Sequence, residues 1–280
     1  MLVIVFLIFG LIFGSFISAT VWRIHEFEEH KSKKKKTIDF EYLKKLSILK
    51  GRSMCPSCHH QLSAKDLIPL FSWLKLQGKC RYCSNSISIK YPLVELFTAT
   101  AFALSYAFWP IGFKGIGLFQ FIVWLILLVG FIAVAFYDIQ WYIIPTKVIY
   151  GLFAVVLVEL IVVTIFSNDI PSHLMGALWG AIIGGGIFYV LFQVSKGQWI
   201  GGGDVRLGTV LGILLGGPMM SLLLLFLASC LGTIYSLPFL AKKKMKINGR
   251  IPFGPFLILA GIIVELFGTS IIVWYRRFFI

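Results

Sequence analysis

Eight stretches of this 280-residue chain are apolar over lengths that matter for a bilayer, at about 2–22, 92–110, 117–137, 147–166, 173–194, 205–217, 219–240 and 252–275. About 20 apolar residues wound as a helix cross a hydrocarbon core of roughly 30 Å. The expected fold is therefore an all-α polytopic membrane protein with about eight transmembrane helices. The first stretch begins at Met1 with no basic segment ahead of it and no small-residue cleavage site, so it reads as a retained span. Stretch 205–217 is the shortest, and at about 1.5 Å per residue it covers only about 20 Å.

Charge decides whether that short stretch crosses. The chain carries 26 Lys+Arg against 12 Asp+Glu, a net charge of +14, although 58% of it is apolar and only 14% charged. Soluble domains run nearer half apolar and a quarter charged. Net charge of this size suits nucleic acid when basic residues cluster on one readable face. Alternatively, it orients a chain in the bilayer, because cytoplasmic loops collect Lys and Arg. Eight spans with the N-terminus outside put 23 of the 26 basic residues on one side, leaving Lys114, Arg276 and Arg277 on the other. If 205–217 did not cross, Lys242, Lys243, Lys244, Lys246 and Arg250 would change sides, against the positive-inside pattern. Eight spans are thus expected, with the basic side cytoplasmic and the two Arg near the C-terminus an unexplained minor violation. The Lys33–Lys36 run reads as a solvated segment facing anionic membrane lipid. No nucleic-acid partner is expected. The expected organisation is a first helix at 1–22, a polar cytoplasmic insert at 23–90, and a domain of about seven further helices at 91–280.

Inside the insert, Cys55-Pro-Ser-Cys58 and Cys80-Arg-Tyr-Cys83 form two C-x-x-C pairs, 21 residues apart. Each pair can turn both sulfurs toward one point, and two pairs complete the tetrahedral thiolate shell usual for structural zinc. The alternative is two disulfides or unrelated thiols, which a reducing cytoplasmic location disfavours. His59 and His60 can substitute as ligands but read as surface residues beside four Cys. A closed shell leaves no open position for activating water.

Six acidic residues lie outside 23–90: Glu95, Asp138, Glu159, Asp169, Asp204 and Glu265. Ionisable groups at membrane depth cost at least about 2.5–3.5 kcal/mol on insertion scales, so each needs a reason. Asp169 reads as a solvated loop residue and Glu95 as one near the cytoplasmic entry of its span. Glu159 and Glu265 lie deeper and read first as inter-helix hydrogen-bonding groups. Asp138 ends the third span, and Asp204 opens the sixth after Gly201-Gly202-Gly203. Both fall at the cytoplasmic mouth on different helices, where they can face each other. Two carboxylates sharing a site can divide acid and base work, activating water and protonating a leaving amine. The three glycines allow close approach of an extended substrate, and Arg206 can hold one carboxylate ionised. Apposed aspartates can also be structural.

These residues resemble the type IV prepilin leader peptidases, membrane aspartic peptidases with a G-x-G-D signature. Carrying the resemblance are Gly14-Ser15-Phe16 with Arg23, the segment from Leu67 through Trp73, Gly78 and Cys80 to Cys83, and Ile87–Leu96. The Asp138 segment, Gly201–Arg206 and Ile251-Pro-Phe-Gly-Pro255-Phe complete it. The resemblance implies a multi-pass enzyme of the bacterial inner membrane that removes leaders from prepilins or pseudopilins at the cytoplasmic face, using Asp138 and Asp204. Relatives with the four-Cys insert usually also N-methylate the new terminus from S-adenosylmethionine. Three departures stand out: Arg206 where Lys is usual, Ser18 where Asn is frequent, and Thr146 where Asp is common. Ser18 bears on methyl transfer. No strand–G-x-G-x-x-G–helix unit offers a nucleotide site, and Gly184–Gly186 reads as helix packing. Peptidase activity without methyl transfer is one alternative. The other is a non-catalytic scaffold or transporter with a zinc docking domain, for which Glu159 and Glu265 would be the midplane charges.

Overall fold

The computed structural model describes residues 1–32, 46–47, 51–167, 169–241 and 251–279. The Lys33–Lys36 run and the Lys242–Arg250 loop lie outside these. The eight apolar stretches are all helices: α1 (Leu2–Ser32), α3 (Lys90–Ala107), α4 (Ile116–Trp141), α5 (Thr146–Phe166), α6 (Ile170–Val194), α7 (Gly202–Leu215), α8 (Pro218–Ala241) and α9 (Gly254–Phe279). Among the described residues of the insert lie a short helix, α2 (Phe71–Lys75), and a 3₁₀ turn (Ala64–Leu67). No strand is present among the described residues, only two isolated bridges.

Among the described residues six helices, α1, α4, α5, α6, α8 and α9, are long and apolar enough to span a membrane, each with mean hydropathy of 1.8 or more over its best window. Their apolar side chains point outward as well as inward. Phe226 and Ile165 are 64% and 68% exposed, as expected when the surroundings are lipid. Helix α3, with 18 residues, and α7, with 14, form the other two expected stretches. The chain is a multi-pass membrane protein. It divides into two compact units, Met1–Ala107 and Phe108–Ile280.

In the first unit α1 and α3 run antiparallel. Phe6 stacks on Tyr106 and Phe13 on Phe102, at ring separations of 4.7 and 5.6 Å. Between them Gly10 and Gly14 let the backbones touch, since a Cβ on either would come within 2.5 Å of the Cα of Ala99 or Glu95. Small residues four apart are how membrane helices approach closely without a hydrophobic driving force. Helix α1 runs ten residues past the expected exit at 22. That extension is held by (i, i+4) contacts His25–Glu29 at 3.7 Å and Glu26–His30 at 3.0 Å.

The second unit is organised on α6 and α7. Gly176, Gly180 and Gly184 of α6 oppose Gly216, Gly212 and Gly208, leaving no room for a side chain at any α6 position, and Gly185 meets Thr209. The reading of Gly184–Gly186 as helix packing holds for Gly184 and Gly185 but not for Gly186, where a Cβ would meet only Ile182 of the same helix at 3.9 Å. Asp169, expected as a solvated loop residue, caps α6 by accepting from the Ser172 amide at 3.2 Å. Helix α4 stops because Tyr142 turns left-handed (φ 58°), its amide bonding back to Asp138 O at 2.8 Å, and Pro145 follows.

Candidate active site and metal centre

Each Cys pair of the insert lies in a turn of the same construction. In the first, the Cys55 amide donates to His60 O and the His59 amide to Cys55 O, at 3.0 and 2.9 Å. In the second, the Cys80 amide donates to Asn85 O and the Ser84 amide to Cys80 O, at 2.9 and 3.0 Å. His59 and Ser84 both take positive φ, and the bridges Met54–Gln61 and Lys79–Ser86 close the two turns. This short repeat, hidden in sequence because only the cysteines match, brings all four Sγ atoms within 4.8 Å of one another. Cys55 Sγ and Cys83 Sγ are 3.9 Å apart. Tetrahedral Zn–S bonds of about 2.3 Å demand S···S edges of about 3.8 Å. None of the five cysteines is in a disulfide. The cluster can hold a metal ion, and neither His belongs to it; His60 packs on Tyr82 instead, 3.8 Å between rings.

A residue without a signal in the sequence ties this centre together. Asp66 accepts from Arg81 Nε at 2.7 Å, Tyr82 OH at 3.1 Å, and the Ser63 hydroxyl and amide at 2.7 and 3.2 Å. Burial pushes its carboxyl up, but the hydrogen bonds from Ser63, Arg81 and Tyr82 outweigh that and hold it at about 2.

The second unit brings Asp138 and Asp204 together, close enough for their charges to interact. Asp138 sits in the last turn of α4 with 4% of its surface exposed. Its Oδ2 accepts from the Gly254 amide, at the start of α9, at 3.2 Å. Asp204 sits in the first turn of α7, and its Oδ2 accepts from the Gly201 amide at 3.2 Å. Both donors come from helix N-termini, whose first N–H groups have no helical partner. Asp204 Oδ1 is buried with no protein hydrogen-bond partner. Ile144 wedges between the two loops. A Cβ on Gly203 would come 2.7 Å from its Cβ, and one on Gly254 would come 3.4 Å from its Cδ1 and 2.8 Å from Asp138 Oδ2. Of the three signature glycines, Gly203 is required by this packing and Gly201 supplies the amide, while a Cβ at Gly202 meets Phe192 at an ordinary 3.8 Å.

Arg206 does not hold either carboxylate. Its Nη1 donates to Thr146 Oγ1 at 3.0 Å and its guanidinium lies 5.9 Å from the Tyr150 ring centre. Two residues along a helix of 3.6 per turn rotate a side chain by about 200°, which turns Arg206 away from Asp204. Gly254, Ile144 and Thr146 contribute to the site from positions whose roles only the fold reveals. Glu159 and Glu265 line a different cavity of about 640 Å³ with His173, and neither aspartate borders it.

Comparison with known proteins accords with this geometry. Residues 8–109 match the Bacterial Peptidase A24 N-terminal domain, and residues 125–237 match the Type IV leader peptidase family. The Prepilin leader peptidase/N-methyltransferase of Stutzerimonas stutzeri is 31% identical over 97% of this chain and 93% of its own. The chain belongs to the type IV leader peptidase family. A protein of that name from Bacillus subtilis strain 168 is 31% identical, with 96% of each chain covered. The Type 4 prepilin-like proteins leader peptide-processing enzyme of Escherichia coli O78:H11 is 33% identical over 90% of this chain and 89% of its own. No solved structure gives a significant match. Of the three residues noted in sequence as departures, Arg206 and Thr146 are bonded to each other in this chain. Ser18 donates to Gly14 O at 3.1 Å within α1.

Proposed function

We propose that this protein is an aspartic endopeptidase of the bacterial inner membrane. It removes the leader from type IV prepilins or pseudopilins at the cytoplasmic face and N-methylates the amine so exposed. The observation that carries the peptidase role is the pair Asp138 and Asp204. They are delivered by different helices, each is anchored through one oxygen, and the second oxygen of Asp204 is buried without a protein partner. A carboxylate fixed by one oxygen keeps the other for chemistry. The ionised member of the pair takes a proton from water, and the hydroxide adds to the scissile carbonyl carbon. The neutral member donates to the carbonyl oxygen and then the proton passes to the leaving amine as the C–N bond breaks. The two titrate as a unit, so acid and base are roles of the pair rather than of one residue. The cytoplasmic assignment rests on the 23 basic residues that eight crossings place on one side.

The four-Cys cluster holds zinc as a closed structural shell, joining two turns that have little apolar core of their own. S-adenosylmethionine supplies the methyl group, which its sulfonium renders electrophilic. A prepilin co-expressed with this protein, in cells lacking their own processing enzyme, tests the proposal by intact-mass spectrometry. Wild type yields a product lacking the leader and gaining one methyl group, and Asp204→Asn yields uncut prepilin. Unchanged cleavage by Asp204→Asn would overturn the assignment of the pair.

A further inference from the structure

Leu67, Ile68, Phe71 and Leu74 of the insert are 38%, 50%, 70% and 64% exposed, an uncovered apolar face on one short stretch. The same stretch turns Trp73 inward, where its ring N–H donates to Ile87 O at 3.1 Å. At the centre of the face the backbone is strained. Leu70 holds φ 60° and ψ −52°, and the Phe71 amide bonds to Pro69 O at 2.6 Å, a γ-turn of the rare kind. Such a conformation persists only where its surroundings hold it. Glu95 of α3 does so, accepting from the Leu70 amide at 2.8 Å and from the Ser15 hydroxyl of α1.

That contact also fixes how deep the turn lies. Glu95 is five residues into α3, about 8 Å at 1.5 Å per residue. Its backbone is pressed against Gly14 of α1, which is about 12 Å short of the exit expected at 22. The turn therefore lies about 8–12 Å inside the ends of the two helices. Irregular backbone at membrane depth is tolerated only where its polar groups find protein partners. Glu95 is that partner for the Leu70 amide, which gives a reason for a carboxylate with only 9% of its surface exposed on α3. At this depth the uncovered face meets hydrocarbon rather than water. Lys65, Lys75 and Lys79 flank it and are exposed, while the carboxylate among them, Asp66, is engaged by Arg81 at 2.7 Å.

We propose that residues 65–79 form a re-entrant membrane element. Ile68, Phe71 and Leu74 enter the acyl chains of the leaflet on this side, and Lys65, Lys75 and Lys79 reach its anionic phosphates. Long lysine stems let the ammonium groups stay at the surface while the backbone lies deeper. The second cysteine turn begins at Cys80, directly after Lys79, so the element tethers the metal centre to the membrane. Glu95 is its positioning residue.

The test puts the photoprobe p-benzoylphenylalanine in place of Phe71 or Leu74 in the full-length protein. The protein is irradiated in nanodiscs of equal phosphatidylglycerol and phosphatidylcholine, and adducts are read by intact mass. Zinc content and thermal stability report that each protein is folded. Lipid adducts are expected from both positions, with phosphatidylglycerol favoured by about 5-fold or more, the scale of one lysine at an anionic surface. Exchanging Lys65, Lys75 and Lys79 together for Gln should keep the adducts and return their ratio to that of the bulk lipid. Glu95→Leu, which leaves the Leu70 amide without its acceptor, should lower adduct yield by about 3-fold or more. Glu95→Gln keeps a carbonyl acceptor and should restore it. Probes that capture no lipid at either position would overturn the proposal. So would lipid adducts that excess prepilin replaces with prepilin adducts, because the face would then be a substrate dock. Equal capture of the two lipids by the lysine-bearing protein would overturn the role given to Lys65, Lys75 and Lys79. Equal yields from Glu95→Leu and the Glu95 protein would overturn the role given to Glu95.

Discussion

Replacing Gly254 by Ala probes the geometry of the aspartate pair without touching either carboxylate. The added Cβ would lie 2.8 Å from Asp138 Oδ2, where ordinary contact begins near 3.4 Å, so the two must separate by about 0.6 Å. Adding that shift to the 3.2 Å bond from the Gly254 amide takes it to about 3.8 Å, beyond hydrogen-bonding range. Ile144 Cδ1, 3.4 Å from the same Cβ, limits how α9 can move instead. Loss of one hydrogen bond to a charged group is worth about 1.5–3 kcal/mol. If that bond orients Asp138 in the transition state, kcat falls by about 10- to 100-fold with KM little changed. The assay is steady-state cleavage of a purified prepilin by the protein in nanodiscs. Gly186→Ala is the matched control, because its Cβ would meet only Ile182 Cγ2 at 3.9 Å. Wild-type kcat for a folded Gly254→Ala protein would refute the claim that this amide holds Asp138 in place.

Three further outcomes are expected. The purified protein should contain about one zinc per chain by elemental analysis, with Cys83→Ser losing it to a chelator far faster. Two disulfides and no metal would contradict the shell. Asp66 titrates at about 2 when folded, below the roughly 3.9 of an unfolded aspartate, so its stabilisation is complete above about pH 4 and fades as pH falls toward 2. Asp66→Asn should therefore speed zinc release by a chelator equally at pH 6 and pH 8. Arg206→Ala and Thr146→Ala should show a coupling of about 0.5–1.5 kcal/mol in a double-mutant cycle on stability, with additivity showing that the pair is not formed.

Hydropathy located all eight helices, because each is a largely apolar run, and six of them are long and apolar enough to cross a membrane. It could not locate the end of α1. Leaving the bilayer changes the residue types but not the helix, and Glu26, Glu29, His25 and His30 carry it on as a solvated helix. The Cys-x-x-C spacing made the metal cluster legible, and the position of Asp138 and Asp204 at two helix ends on one side made the pair legible. The contacts that fix these groups were not. Gly254 meets Asp138 across 116 residues and Arg81 meets Asp66 across 15, and such pairings leave no periodic trace. Arg206 misled because it is near Asp204 in sequence, whereas on a helix the second neighbour points to nearly the opposite side. Thr146 acquires a meaning only beside Arg206, whose Nη1 donates to its hydroxyl across 60 residues of sequence.

The most direct measurement of the central claim is kcat/KM for prepilin cleavage by Asp138→Asn, Asp204→Asn and the double variant. Groups that act as one unit are grossly non-additive. Each single substitution should therefore cost about four orders of magnitude or more, with the double no worse than either. A single variant close to wild type, or a double equal to the product of the two singles, would show that Asp138 and Asp204 do not work as a pair.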